Sequence, residues 1–219
     1  LPYRNAVVTA KMVSSLDALS DGRVVLGVGV GWVAAESAML GVPFTARGAM
    51  TDEHLRAMRE LWTSPAPSFA GTYTQFSGLT FEPKPVQKPH PPIWVGGHSP
   101  AALRRAVEFG AAWHPINRAP QEIRAARAEL ARISQARDRA VPPAISLRTD
   151  VRVLRPGERP PGSTHAGRVL AGEPAALVDQ IKELAGCGVE HLVLEFLAAD
   201  GRELDEQMAV FAERVRPMT

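Results

Sequence analysis

Three glycines at every second position could clear space for a ligand beside a strand. They are Gly27, Gly29 and Gly31, in the stretch VVLGVGVGW. Successive side chains of a strand point to opposite faces, so these glycines leave one face bare near the end of the run. The spacing differs from the dinucleotide fingerprint G-x-G-x-x-G, which would need a glycine in place of Trp32 or Ala34. Close approach of a neighbouring helix or strand explains the three glycines equally well.

A second glycine site has the chemistry to bind an anion. In the stretch IWVGGHSPAALRRA, Gly96 and Gly97 follow an apolar run, and Ser99 and Pro100 begin a predicted helix as its N-cap and first-turn residues. The free N–H groups and the positive end of that helix would face a ligand above the strand. Two glycines let an anion approach the backbone, and the Ser99 hydroxyl can donate. An ordinary Gly-Gly turn with a capping serine is the alternative interpretation.

No other motif assigns a catalytic group. His114 follows the third predicted strand, but a lone histidine is most often structural, so catalysis by His114 is a minority hypothesis. His90 and His98 lack metal-ligand spacing to any Cys, Asp or Glu partner, and no metal site is predicted. The sequence also shows no nucleophile elbow G-x-S-x-G and no legible Ser-His-Asp arrangement.

The composition of the 219-residue chain is that of an ordinary globular protein. Hydrophobic residues make up 45% and charged residues 22%, and 25 basic against 23 acidic residues give a formal charge of +2. Because the charges are interspersed and no apolar run approaches the ~20 residues of a membrane span, neither nucleic acid nor a membrane is an expected partner. The single cysteine, Cys187, fits the cytoplasm. The chain begins at Leu1, so we expect either that residues were removed or that it is part of a longer chain.

Short apolar runs and helical periodicity alternate along most of the chain, which predicts βα units and a parallel sheet. Five runs predict strands that are buried on both faces: Val24–Val30, Ile93–Val95, Ala111–His114, Ile145–Leu154 and His191–Leu197. The first of six predicted helices carries an apolar face made by Val8, Met12, Leu16 and Leu19. The other five are predicted from apolar stripes that begin at Leu55, Leu103, Ile123, Leu177 and Leu204.

Two segments depart from this alternation. Aromatic residues set among Gly, Thr and Ser in Ser68–Glu82, followed by the proline-rich connector Pro83–Pro92, predict a small β insertion at about 68–92. Arg155–Gly172 is rich in Pro, Gly and Arg and lacks periodicity, so it predicts a long loop. Five parallel strands fit either an open doubly wound sheet or most of a (β/α)8 barrel that lacks its first strands.

Taken together, these segments resemble the bacterial luciferase-like monooxygenase superfamily, and specifically its F420-dependent oxidoreductase branch. The resemblance is most specific in PKPVQKPHPPIWVGGHSPAALRRAVEFGAAWHP, and it is also carried by LPYRNAVVTAKMVSSLDALSDGRVVLGVGVGW and LVDQIKELAGCGVEHLVLEF. It implies an α/β fold of the (β/α)8 TIM-barrel type, with residues 1–219 as a single domain. The first strands, roughly a third of the family's domain, would be missing from this chain. It also implies a homodimer that acts on a small-molecule substrate.

The resemblance further implies a flavin-type cofactor at the carboxyl ends of the strands, either coenzyme F420 or, as the alternative, FMN. Ten residues are implied to bind it: Gly29, Val30, Gly31, Val95, Gly96, Gly97, His98, Ser99, Trp113 and His114. Trp32 would stand at the rim of the substrate pocket. The family's usual substrate-side histidine belongs to the missing N-terminal portion, so no catalytic acid or base is assigned. Glu36 and Arg47, which recur in the family, are expected to form a structural ion pair.

The implied function is an oxidoreductase that transfers hydride between F420 and a small organic substrate. With reduced FMN, the same barrel would instead activate oxygen as a monooxygenase. A different class of enzyme, a barrel that acts on a phosphorylated metabolite without a redox cofactor, would use Gly96, Gly97 and Ser99 equally well. An inactive truncated paralogue, unable to close a barrel, is the remaining alternative.

Overall fold

Parallel strand pairing organises both halves of the chain in the computed structural model, which describes residues 1–161 and 169–219. These residues form two units, Leu1–Ala112 and Trp113–Thr219. The five strands and six helices predicted from the sequence are all present. Among the helices that the structure describes, none is both long and apolar enough to cross a lipid bilayer.

The first unit alternates helices with short strands. Its elements are α1 (Ala6–Leu19), β1 (Leu26–Val28), α2 (Ala34–Met39), α3 (Arg47–Thr63), β2 (Phe69–Ala70), β3 (Gln75–Phe76), β4 (Ile93–Val95) and α4 (Pro100–Phe109). The short strand β5 (Ala112–Trp113) lies where the chain passes into the second unit. The sequence patterns do not predict α2, because its six residues are too few to show a helical period.

Strands β1 and β4 pair in parallel, with Leu26 opposite Ile93 at one end and Val28 opposite Val95 at the other. The Gly96 N–H continues the ladder by donating to the Val28 carbonyl at 2.8 Å. Ile93 and Val95 are fully buried, so apolar side chains anchor β4 in the core of this unit. The register therefore sets which residues meet where the two strands end.

The apolar face of α1 is not its buried face. The stripe of large apolar side chains is exposed, and it consists of Val8, Met12, Leu16 and Leu19. The buried face carries small and polar side chains instead, including Ala6, Ala10 and Ser14. These small residues let α1 lie close to α3, where the buried Trp62 indole donates a hydrogen bond to the Ala10 carbonyl at 3.0 Å. Close helix contact, rather than apolar bulk, thus decides which face of α1 is buried.

The predicted β insertion contains an antiparallel hairpin of β2 and β3. Its turn is held by the buried carboxylate of Glu53 in α3, which accepts hydrogen bonds from the N–H groups of Thr72, Tyr73 and Thr74 at 2.8, 2.6 and 2.7 Å. Burial alone would raise the pKa of Glu53, but these three donors outweigh it and hold the pKa below its usual value. Gly71 makes room for the carboxylate, because a Cβ there would lie 2.4 Å from the Glu53 carboxyl carbon.

The second unit is built around one long strand. Its elements are α5 (Pro120–Gln135), β6 (Ala144–Val153), β7 (Val169–Gly172), α6 (Pro174–Gly186), β8 (Val189–Phe196) and α7 (Gly201–Arg214). Strand β6 pairs in parallel with both β7 and β8. The prediction of a loop over Arg155–Gly172 is wrong for Val169–Gly172, since a four-residue strand is too short to show its period. Residues 162–168 of that predicted loop lie outside the described residues.

The two paired strands β6 and β8 differ in burial. Strand β6 is largely buried on both faces as predicted, but one face is polar and carries Ser146, Arg148, Asp150 and Arg152. Strand β8 is exposed on one face, at His191, Val193 and Glu195. The prediction of two buried faces is therefore wrong for β8, which within the described residues pairs with β6 alone. The apolar content of a run does not show whether its strand lies at an edge.

We predict that Glu53→Gln destabilises the folded chain by about 1–3 kcal/mol at pH 7, because a neutral amide satisfies three clustered N–H donors poorly. The folded-state pKa of Glu53 lies below the ordinary value of 4.5. The stabilisation that it provides is therefore complete above that value and is lost as the pH falls through the folded-state pKa. Urea unfolding at pH 7 and at pH 3 measures both effects.

Glu213→Gln, at an exposed position of α7, serves as the control and is expected to leave the free energy of unfolding unchanged at both pH values. Equal unfolding midpoints for Glu53→Gln and the unmodified chain at pH 7 would show that the carboxylate does not stabilise the hairpin.

Candidate functional site

The register of β1 and β4 brings the two predicted glycine sites together. Because Val28 lies opposite Val95, residues 29–32 and 96–99 leave the two strands side by side. We call these two segments the glycine edge. They contain most of the predicted site residues, namely Gly29, Val30, Gly31, Trp32, Gly96, Gly97, His98 and Ser99. Ligands of parallel α/β proteins bind beyond the carboxyl ends of strands, which is where the glycine edge lies.

The space beside β1 and the residues that follow it is open at two of the three glycines. Within the described residues, a Cβ on Gly27 or Gly29 would meet no atom within 4 Å. On Gly31 it would lie 2.4 Å from the Tyr3 hydroxyl oxygen, and the φ of +81° at this residue also favours glycine. Close packing, one of the two interpretations open from the sequence, therefore explains Gly31 but neither Gly27 nor Gly29.

Backbone donors lie along the same edge. Within residues 1–161 and 169–219, the N–H groups of Val30, Gly31 and Trp32 donate no hydrogen bond. Val30 and Gly31 are half-buried, and Trp32 is exposed. Successive N–H groups beside glycines can donate to the phosphate or carbonyl oxygens of a ligand, so this segment can bind a group that accepts several hydrogen bonds.

Helix α4 begins at the glycine edge as the sequence predicts. Ser99 is its N-cap and accepts a hydrogen bond on Oγ from the Ala102 N–H at 3.2 Å, and Pro100 is the first helical residue. Gly97 precedes this cap with a φ of +105°, and a Cβ there would lie 3.1 Å from the Ala102 Cβ. The Ser99 oxygen caps the helix, while its hydroxyl hydrogen can serve a ligand.

Two further predicted residues differ sharply in accessibility. Val95 is fully buried, so it can meet a ligand only through its backbone. Trp32 is 86% exposed, which places a large aromatic ring in solvent beside the glycine edge.

Arg47 holds the glycine edge from the start of α3, a contact that the sequence does not predict. Its Nε donates to the Gly31 carbonyl at 3.3 Å, and its Nη1 donates to the Phe44 carbonyl at 2.7 Å. The guanidinium lies 3.8 Å from the centre of the Phe44 ring. Within the described part of the chain no ion pair joins Arg47 to Glu36, so the predicted pair is wrong. Main-chain carbonyls compete for the guanidinium, and charge patterns do not show them.

The remaining two predicted residues, Trp113 and His114, belong to the second unit. Trp113 is buried, and His114 is half-buried with its Nδ1 hydrogen-bonded to the Ser146 hydroxyl at 2.9 Å. Burial lowers the pKa of His114, and His191 and Arg148 lower it further, whereas a hydrogen bond with the Ser146 backbone acts in the opposite direction. Contact of these two residues with a cofactor stays a prediction.

The polar face of β6 and β8 carries a hydrogen-bonded set that the sequence analysis misses. Asn117 donates through Nδ2 to the Asp150 carboxylate at 3.0 Å, and the Asp150 N–H donates back to the Asn117 Oδ1 at 2.8 Å. Arg148, on the same face, forms an ion pair with Glu195. The polar residue at every second position from Ser146 is the signal that could have revealed this set. In the part of the chain that the structure describes, no group of three or more His, Cys, Asp or Glu side chains is placed to hold a metal ion.

Comparison with known protein families identifies the fold that carries this site. The luciferase-like monooxygenase family matches residues 1–154, a segment that includes the whole glycine edge. The chain belongs to this family. The match confirms the resemblance seen in the sequence and covers all ten predicted cofactor-binding residues.

The relatives of known sequence match shorter segments of this family member. An uncharacterized protein of Mycobacterium tuberculosis is 44% identical over 97 residues, which cover 44% of this chain and 34% of that protein. The FMNH2-dependent dimethylsulfone monooxygenase of Pseudomonas putida is 36% identical over 96 residues, which cover 42% of this chain and 26% of that enzyme. The matched segments thus span well under half of these relatives.

Solved structures of low sequence identity share the fold. Monooxygenase RslO1 of Streptomyces bottropensis superimposes with a TM-score of 0.81 at 19% identity, covering 99% of this chain and 75% of that chain. The coenzyme F420 dependent tetrahydromethanopterin reductase of Methanopyrus kandleri gives 0.77 at 16%, covering 98% and 79%. The oxygenating constituent of 3,6-diketocamphane monooxygenase of Pseudomonas putida, in complex with FMN, gives 0.77 at 17%, covering 100% and 77%. The luciferase-like α/β fold with parallel strands is thereby confirmed.

The two nearby glycines Gly29 and Gly31 are expected to respond differently to alanine. Gly31→Ala brings a Cβ against Tyr3 at a positive φ, so the free energy of unfolding should fall by about 1–3 kcal/mol. Gly29→Ala brings its Cβ within 4 Å of no described atom and should change the free energy of unfolding by less than about 0.5 kcal/mol. Chemical denaturation at pH 7 measures both, and equal losses would contradict this assignment of space.

The lowered pKa of His114 predicts a stability that falls in mild acid. The unfolded chain binds the proton near the ordinary value of 6.5, whereas the folded chain resists it until a lower pH. Stability is therefore lost as the pH falls below 6.5, and the penalty is complete below the folded-state pKa. His114→Gln should reduce the decrease in unfolding free energy between pH 7 and pH 5, measured by urea titration. An unchanged decrease would show that His114 does not titrate differently on folding.

Proposed function

We propose that the chain carries the cofactor site of an oxidoreductase that uses coenzyme F420 for hydride transfer to or from a small organic substrate. An FMN-dependent monooxygenase reaction is the alternative within the same family. The observation that supports a cofactor of this size is the glycine edge. Two strand ends lie side by side there. Within the described residues, the space at Gly29 is open and the N–H groups of residues 30–32 have no acceptor.

The residues of the glycine edge fit a ligand with both a planar ring and an anionic group. The bare face at Gly27 and Gly29 leaves a ring room to lie against the backbone, which a side chain there would obstruct. An anion suits the turn at Gly97 and Ser99, where α4 begins and its N-terminal dipole is positive. The buried side chains of Ile93 and Val95 keep the strand beneath this edge dry.

When bound, a flavin-type cofactor supplies the hydride or oxygen chemistry, which no side chain of the chain can perform. The contribution of the protein is to bind and orient. The N–H groups of Val30, Gly31 and Trp32 can fix the position of polar ring atoms or phosphate oxygens, and the exposed Trp32 ring is available to cover a substrate and exclude water. No catalytic acid or base is part of this proposal.

We extend the proposal to the whole protein from the resemblance seen in the sequence. The fold would be a (β/α)8 barrel with residues 1–219 in one domain, and the protein would act in the cytoplasm as a homodimer on a small-molecule substrate. The solved structures of the tetrahydromethanopterin reductase and of the 3,6-diketocamphane monooxygenase support the barrel part of this proposal, because they match 98% and 100% of the chain and also extend beyond it.

The proposal predicts that the chain binds F420 or FMN and that a side chain at Gly29 prevents it. In fluorescence titrations of each cofactor at pH 7, Gly29→Leu should raise Kd about 10-fold or more, because the leucine fills the open space. Gly186→Leu is the matched control, since its Cβ position in α6 is also open. It should leave Kd unchanged.

The relative affinities for F420 and FMN decide between the two redox alternatives. A chain that binds neither cofactor contradicts the proposal. If inorganic phosphate then protects the chain against thermal unfolding, the barrel enzyme acting on a phosphorylated metabolite becomes the better account.

A further inference from the structure

We propose that Arg47 is a positioning residue of the glycine edge, which orients the backbone donors that meet the cofactor without touching the cofactor itself. This inference rests on the proposed function. It starts from the contact between the Arg47 Nε and the Gly31 carbonyl at 3.3 Å, which reaches from α3 to the end of β1.

The direction of one carbonyl determines the direction of the next N–H. The peptide bond between Gly31 and Trp32 is trans and planar, since the cis peptide bonds in the described part of the chain precede Pro83 and Pro89. In a trans peptide the C=O and N–H groups point to opposite sides. Because Arg47 holds the Gly31 carbonyl on its own side, the Trp32 N–H points away from Arg47, and within the described residues it has no acceptor.

Gly31 needs this restraint because glycine is conformationally flexible. Glycine adopts its φ of +81° at little cost, but it also has many alternative conformations. Tyr3 packs against Gly31, and its hydroxyl is 3.1 Å from the Ser37 Oγ, with which it shares a hydrogen bond. Gly31 is therefore restrained by Tyr3 through packing and by Arg47 through its carbonyl.

The guanidinium of Arg47 is itself fixed by two further contacts. It donates to the Phe44 carbonyl at 2.7 Å and lies 3.8 Å from the centre of the Phe44 ring. A planar group with several donors can stack on the ring and donate to two carbonyls at once, which a lysine ammonium cannot do. The three contacts thus select arginine at this position and make the direction of the Gly31 carbonyl a rigid feature.

The test compares Arg47→Met and Arg47→Lys with the unmodified chain in cofactor titrations with F420 and with FMN. Arg47→Met should raise Kd about 10-fold, and Arg47→Lys should raise it less, since lysine keeps one donor but loses the stack. Arg56→Met, at a half-exposed position of the same helix, is the control and should leave Kd unchanged. Titrations are performed well below the unfolding temperature of each variant.

A second readout separates positioning from general stability. Backbone NMR order parameters of the free chain should fall at residues 30–32 in both Arg47 variants, while those in the core of α3 stay unchanged. Loss of affinity together with lower order parameters across all of α3 would show a merely structural role and overturn the inference, as would unchanged Kd in both variants. If the unmodified chain binds neither cofactor, the proposed function fails, and the order parameters alone then decide whether Arg47 orders the glycine edge.

Discussion

The candidate site depends on the parallel register between β1 and β4. Because Val28 lies opposite Val95, the two strands end at the same level, and the segments that follow them are neighbours. A shift of one residue would turn every side chain of β1 to the other face and remove the open side of Gly29 from the edge. The buried side chains of Ile93 and Val95 resist that shift, so the apolar core of the first unit fixes the geometry of the glycine edge.

Sequence patterns predict most of the helices and strands because each of these elements depends mainly on residues that are close together in the sequence. Apolar runs mark the strands, and the Ser99–Pro100 pair places the start of α4 correctly. Contacts between elements are beyond such patterns. The buried face of α1 is chosen by its closeness to α3, where small residues and the Trp62 indole meet, whereas its larger side chains, from Val8 to Leu19, remain exposed. Periodicity reports that a helix has two faces, but the neighbouring element decides which is buried.

The same limit applies to the candidate site. The glycine pattern leaves packing and ligand space as equal interpretations, and only the surroundings separate them. Tyr3 fills the space at Gly31, whereas no atom of the described residues lies within 4 Å of a Cβ at Gly29. Arg47 escapes prediction because its partner is a main-chain carbonyl 16 residues away in the sequence. The resemblance to the family suggested Glu36 as its partner, but a main-chain carbonyl and an aromatic ring satisfy a guanidinium without a carboxylate.

The arrangement of the glycine edge also bears on the kind of ligand that it suits. A phosphate alone would need the turn at Gly97 and the start of α4, and the bare face of β1 would then serve no purpose. Gly27, inside β1, costs the strand packing area and backbone entropy, roughly 0.5–1 kcal/mol. Within the described residues, no atom lies close enough to a Cβ at Gly27 or Gly29 to require a glycine there. A ligand whose planar part extends from its phosphate across β1 accounts for both features together, and F420 and FMN share that form, so the edge favours a flavin-type cofactor over a small phosphorylated metabolite.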